Sequence, residues 1–185
     1  MTSVATPATS LDASLHGTWN LDRTHSHIEF AVRHMGVATF RGSFADVDAT
    51  FTADAGSVQL SGSAQARSIT TADENLHGHL MSPEFFDVEH YAAITFAAAS
   101  LQRTGDDVQL DGTLTIKDIS LPVRLTGTMH GPLTDPYGNE RIGFELDTEI
   151  DRTAFGLVWN APLPGGGWVL SKTVRLRANL EFIAS

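Results

Sequence analysis

The sequence contains no cysteine, which excludes disulfides, thiolate metal sites and a cysteine nucleophile. Positive charge is scarce: 12 Lys and Arg stand against 22 Asp and Glu over 185 residues, for a formal net charge of -10. Apart from Lys172, Arg175 and Arg177 the basic residues are scattered singly, so nucleic acid is not expected as a partner. Long apolar runs are missing as well. The longest fall far below the roughly 20 residues that cross a bilayer as a helix, and stable membrane insertion is not expected. The first 15 residues, MTSVATPATSLDASL, lack both a basic residue and the apolar stretch of a secretory signal. They read as a flexible tail (1–15) ahead of a single domain (16–185), and the expected compartment is the cytoplasm.

What is present is alternation. In residues 57–68 Val58, Leu60, Gly62, Ala64 and Ala66 alternate with polar neighbours, the signature of a half-buried antiparallel strand. The same period recurs at Ile28, Phe30 and Val32; at Val47, Ala49 and Phe51; at Ile94, Phe96 and Ala98; and at Val108, Leu110, Leu114 and Ile116. Further sets are Val123, Leu125, Gly127 and Met129; Ile142, Phe144 and Leu146; and Val174, Leu176, Leu180 and Phe182. Turn residues at 54–56, 105–107, 118–122 and 131–139 separate several of these runs. About eight strands are predicted, the usual number for a small closed barrel, so the fold class is all-β.

Two segments break the period. Residues 70–92 carry Thr71 and Glu74 as a capping box, Leu76 and Leu80 on one helical face, and then Ser82-Pro83-Glu84 as the start of a second short helix. A short helical insertion over residues 71–87 is therefore expected. Residues 151–171 mix Phe155, Leu157, Trp159 and Trp168 with two prolines and Gly165-Gly166-Gly167, and predict an aromatic-rich loop. The small residues Gly62, Ala64, Ala66, Ala98 and Gly112 share faces with large ones. They leave two readings open, a cavity or a packed core in which small faces large.

The motifs HSHIEFAVRHMG (25–36), RGSF (41–44), SITTADENLHGHLMSPEFFDVEHYAAITF (68–96), GTLTIKDISLPVRL (112–125) and DRTAFGL (151–157) resemble the YceI-like family of polyisoprenoid-binding proteins, over about residues 17–184. The resemblance implies an extended, lipocalin-like eight-stranded antiparallel β-barrel holding a long-chain amphiphile of polyprenyl or isoprenoid-quinone type. Matched positions are Asp22, His25, Ser26, Phe30, His34, Gly42, Phe44, Ile69, Thr70, Leu80, Phe85, Phe86, Asp87, Ile94, Phe96, Gly112, Leu114, Arg152, Phe155 and Gly156. The chain departs from the family pattern at 76–80 (LHGHL) and at Tyr91-Ala92.

Eight histidines invite a metal reading. His25 and His27 share the strand face opposite Phe30, His34 lies on the inward face, and His77 and His79 stand roughly 200° apart on a helix. No metal-ligand spacing results, and no metal or cofactor is expected beyond a bound isoprenoid lipid. His25-Ser26-His27 is no dyad, because adjacent strand residues face opposite ways. Asp22, Asp87, Asp151 and Arg152 are candidates for loop-pinning ion pairs or for an acid/base pair, and Gly165–Gly167 reads as a hinge. Expected ligand-lining residues are Phe30, Val32, His34, Phe44, Phe51, Ile69, Leu80, Phe86, Phe96, Leu114, Ile116, Phe144 and Phe155, with the lipid head near His34 and the helical connection. This reading is a non-enzymatic carrier, store or sequestering protein. Its alternatives are an enzyme using the lumen as substrate pocket with His34 as general base, and a packed barrel acting through its surface as a homodimer.

Overall fold

The computed structural model describes residues 13–54 and 57–185. Its strands are β1 (Gly17–Leu21), β2 (His27–His34), β3 (Ala38–Phe44), β4 (Val47–Asp54), β5 (Ser57–Gln65), β6 (Ile69–Thr70), β7 (Ala93–Thr104), β8 (Asp107–Ile116), β9 (Ile119–Thr134), β10 (Glu140–Asp151) and β11 (Leu170–Ala184). All pairings are antiparallel. The order β1-β4-β5-β7-β8-β9-β10-β11 closes on itself through β1–β11, giving an eight-stranded barrel. β11 is long enough to serve two neighbours: its C-terminal end pairs with β1 and the rest with β2, from which the sheet continues through β3 to β6.

The eight predicted strands are present, and β1, β3 and β6 are additions. β3 alternates Ala38, Phe40, Gly42 and Phe44 with Thr39, Arg41 and Ser43, a pattern diluted by Ala and Gly. Pro122, predicted in a turn, lies within β9 opposite Thr113. Its missing N–H costs no ladder bond to β10, which pairs with β9 only from Thr126 onward.

One end of the barrel is solid. Phe51, Phe144 and Phe182 pack with ring centroids 5.4 to 6.4 Å apart, among Leu110, Met129, Ile142 and Leu146. Leu15, predicted as part of the tail, is fully buried here, and its carbonyl accepts the Trp19 indole N–H at 2.9 Å. Residues 1–12 lie outside the described residues. The opposite end carries α1 (Glu74–Met81) and the segment 152–169.

Asp73, not Thr71, caps α1: its carboxylate accepts the Leu76 N–H at 2.8 Å, while Thr71 donates its hydroxyl to the Asp73 carbonyl. The second helix is absent. Ser82 instead donates to the His79 carbonyl, and Phe85 and Asp87 bond back to Ser82, making a turn at the end of α1.

Candidate functional site

The barrel's inward parity has different consequences at the two ends. Around Phe51, Phe144 and Phe182 the inward side chains exclude solvent, whereas Phe30, Phe40, Phe96, Leu170 and Leu176 keep part of their surface open although they face the interior. They border a cavity of about 620 Å³, within the ~300–1,000 Å³ typical of small-molecule sites. Its walls include Phe30, Val32 and His34 of β2, Phe40 and Phe44 of β3, Gly62 and Ala64 of β5, and Ile94 and Phe96 of β7. Leu114 and Ile116 of β8, Thr148 and Ile150 of β10, Val174 and Leu176 of β11, and Arg152 just after β10 also line it. Leu76, His79 and Leu80 of α1, with Phe85, Phe86 and Trp159, cover the end. His79 meets Phe85 and Trp159 edge-on, at centroid distances of 4.9 and 4.7 Å, and its Nε2 lies 2.8 Å from Glu84.

Small residues keep the lumen open in two ways. A Cβ on Gly62 would meet only ordinary van der Waals contacts, 3.4 Å from the Asp48 carbonyl oxygen and 3.5 Å from the Ala49 Cβ, so a side chain fits at this position of the cavity wall without displacing a neighbour. A Cβ on Gly42 would lie 2.5 Å from the Phe30 ring, and one on Gly112 2.6 Å from that of Phe96. Those rings therefore lie flat on their glycines, along the wall. Gly112 is filled by an aromatic ring rather than leaving a void, and Ala66 and Ala98 are buried away from the cavity.

The structure places Phe30, Val32, His34, Phe44, Leu80, Phe86, Phe96, Leu114 and Ile116 on the cavity wall. It does not place Phe51, Ile69, Phe144 or Phe155 there. Phe51 and Phe144 have the inward parity expected of them but sit too deep, in the solid end. Ile69 is buried under Leu80 with Phe44, and Phe155 among Ile116, Ile150 and Val174. Parity identifies a face, and only the strand stagger decides the level along the barrel axis. Trp168 is 60% exposed and outside the wall, in contrast to Trp159.

Sequence reasoning offered Arg152 for a loop-pinning ion pair or an acid/base pair and missed its place on the cavity wall. It lies one strand step beyond Ile150, and continuing the β10 alternation through Thr148 and Ile150 would have marked it as inward. At 3% exposure it forms no ion pair with Asp151. Its Nε donates to the Ser171 carbonyl at 2.9 Å, and Nη1 donates to the carbonyls of Leu157 and Trp159. Burial pulls its pKa down, opposed by the nearby Asp151 charge. The remaining loop acids pair locally: Asp87 with His90 at 2.9 Å, and Asp151 with the Thr153 backbone N–H and hydroxyl.

His27, the first residue of β2, is exposed as its parity implied; His25 is exposed too, but it lies in the turn before β2, where strand parity does not apply. Asp22, His25 and Glu181 bring ligand-type atoms within 4.8 Å of one another. The Arg141 guanidinium already occupies this cluster, donating to Asp22, Glu181 and Asp135. The His25 hydrogen bond and then Arg141 lower the Asp22 pKa to about 2, and Asp22 raises that of His25. Among the described residues no helix is long and apolar enough to cross a membrane.

A closed antiparallel barrel with an apolar cavity under a short helix defines a lipocalin-like barrel. The family model for the YceI-like domain matches residues 19–182, and the chain belongs to that family. The UPF0312 protein ECA1782 of Pectobacterium atrosepticum is 30% identical over 153 residues, covering 80% of each chain. Among solved structures, BcnA of Burkholderia cenocepacia superposes with a TM-score of 0.74 at 19% identity, over 87% of this chain and 98% of its own. A polyisoprenoid binding domain from Saccharophagus degradans, implicated in plant cell wall breakdown, superposes with a TM-score of 0.65 at 17% identity, over 90% and 98%.

Proposed function

We propose that the protein binds a long-chain isoprenoid amphiphile, of polyprenyl or isoprenoid-quinone type, with its tail in the barrel cavity, and that it carries, stores or sequesters this lipid without transforming it. The observation that carries the proposal is the cavity: about 620 Å³, walled almost wholly by aliphatic and aromatic side chains. The polyisoprenoid binding domain from Saccharophagus degradans, a fold relative, supports the same ligand class. Each buried methylene contributes about 0.8 kcal/mol, so some twenty tail carbons, about 16 kcal/mol, offset association costs of roughly 4–15 kcal/mol with little help from polar contacts. The catalytic alternative has less support, because among the described residues His34 has no carboxylate or hydroxyl partner to orient it as a base.

Native mass spectrometry of the purified protein, followed by solvent extraction, tests the reading. A co-purifying mass that extracts as a polyprenyl compound is expected. A bare chain whose mass and melting temperature are unchanged by added isoprenoids would refute it. His34→Ala should leave tail affinity within about tenfold, whereas a general base would cost roughly 10²-fold or more in rate.

A further inference from the structure

Two segments meet at the α1 end of the barrel, the β2–β3 hairpin and residues 152–169. The Met35 N–H, at the tip of the first, donates to the Val169 carbonyl at 2.7 Å, and His34 pairs with Leu170. Residues 161–169 of the second fold back as a hairpin of their own: Val169 bonds the Ala161 carbonyl, Pro162 pairs with Trp168, and Leu163 bonds the Gly167 carbonyl. Four of the six large hydrophobic side chains exposed among the described residues stand on these two segments: Met35, Val37 (81% exposed), Val158 and Trp168 (60%). Folding does not account for them. Met35 has a φ of 50°, which glycine or asparagine adopts at less cost, and Val37 and Trp168 lie outside the cavity wall. Charge is segregated in the same place. Residues 30–44 and 152–180 contain Arg33, Arg41, Arg152, Lys172, Arg175 and Arg177, six of the chain's 12 basic residues, and none of its 22 acids. Asp147 pairs with Arg175 and Arg177, and Asp151 feels the Lys172 charge, but Arg33 bonds only the Thr39 hydroxyl and the Gly36 carbonyl. Asp73, Glu74 and Glu84, the acids of α1 and its flanks, lie outside both segments.

We infer that these two tips dock the protein reversibly on a bilayer surface that contains anionic phospholipid, with Met35, Val37 and Trp168 entering the head-group layer and Arg33 meeting lipid phosphate. An exposed apolar patch marks an interaction surface, and tryptophan flanked by basic residues is the composition that suits a boundary between hydrocarbon and water. A chain with a net charge of -10 approaches such a membrane by a face free of acids, because charges more than about 8 Å away are largely screened at physiological salt. Charge thus sets the orientation, and the apolar tips hold it. The cavity wall continues into both segments, through Ala38 and Phe40 of one and Trp159 and Val169 of the other, so docking brings the cavity to the bilayer. The choice of a bilayer over a protein partner rests on the lipid-binding reading above: an isoprenoid amphiphile resides in a membrane and enters the cavity from there.

Sedimentation with vesicles of phosphatidylcholine, alone or with about one third phosphatidylglycerol, tests the surface. The wild-type protein should bind the mixed vesicles. Val37→Asp and Trp168→Asp should each weaken that binding at least about tenfold, because a carboxylate is driven out of the interface and repelled by anionic lipid. Arg33→Gln, which keeps a donor for the Gly36 carbonyl, should weaken it about fivefold and leave binding to phosphatidylcholine alone unchanged. Val37 and Trp168 are exposed and off the cavity wall, so both aspartate variants should melt as the wild type does and bind geranylgeraniol with unchanged Kd in calorimetry. A wild-type protein that sediments with neither vesicle overturns the inference, and so do aspartate variants that sediment as the wild type does. Dimerisation abolished by Val37→Asp, without vesicle binding, would make the patch an interface between copies of the chain instead. Vesicle binding without geranylgeraniol binding would keep the docking surface and refute the lipid-binding reading alone.

Discussion

Replacing Gly62 by leucine should stabilise the empty protein and weaken its ligand, two effects of opposite sign with one cause. The backbone of Gly62 is in β5, and a Cβ there meets nothing closer than 3.4 Å, so the leucine side chain extends into the cavity. Burying it contributes about 1.5–3 kcal/mol, relief of glycine's strand penalty adds about 0.5–1, and rotamer ordering costs about 0.5–1. A net gain of about 2 kcal/mol corresponds to a melting temperature about 4–8 °C higher for a chain of this size. The leucine also displaces some four methylenes of tail, worth about 3 kcal/mol or roughly 200-fold in Kd. Calorimetric melting of the delipidated protein and titration with geranylgeraniol measure the two effects, with Gly62→Ala as a smaller step in both directions. A Gly62→Leu protein that is destabilised by more than about 1 kcal/mol yet binds as before would mean that β5 faces packed core here. The cavity reading would then be wrong.

Other expectations concern the frame that holds the cavity. Gly127→Ala should destabilise by more than about 3 kcal/mol in urea unfolding, because its Cβ would collide with the Glu145 carbonyl of the paired strand β10. Gly78→Ala, in α1 with nothing within 4 Å, should instead gain up to about 1 kcal/mol; equal effects at the two sites would contradict the register. Asp73→Ala removes the α1 cap and should cost about 1 kcal/mol, with faster amide exchange across Glu74–Met81; unchanged exchange there would mean the cap is unimportant. Asp22 and His25 give opposite pH windows. Asp22, held at about 2 against an ordinary 3.8, contributes stability above pH 3.8 that is lost as pH falls towards 2. His25, raised above 6.5, contributes below that pH, and its share is lost as pH rises through the raised value. In an NMR titration Asp22→Asn should return His25 towards 6.5, and a His25 midpoint unmoved by this change would rule out Asp22 as the cause.

The alternation in the sequence determined the all-β class, the faces of the strands and most of the wall: nothing more than local covalent geometry sets which way successive side chains point. Phe30, Val32, Phe96, Leu114 and Ile116 were legible in this way. So was the helical insertion, because Leu76 and Leu80 share a helical face. The depth of Phe51 and Phe144 was not legible. It depends on how far each strand is staggered against its neighbours, a sum over pairings that no single segment contains. The surroundings of Arg152 were equally out of reach, since its acceptors at Leu157, Trp159 and Ser171 belong to a segment with no periodicity to read. The closure of β11 on β1 joins residues near opposite ends of the chain, Ala184 to Trp19. Whether the inward faces enclosed a cavity or a solid core was therefore a tertiary decision: side-chain direction is fixed within two residues, but the space between facing walls exists only once the barrel has closed.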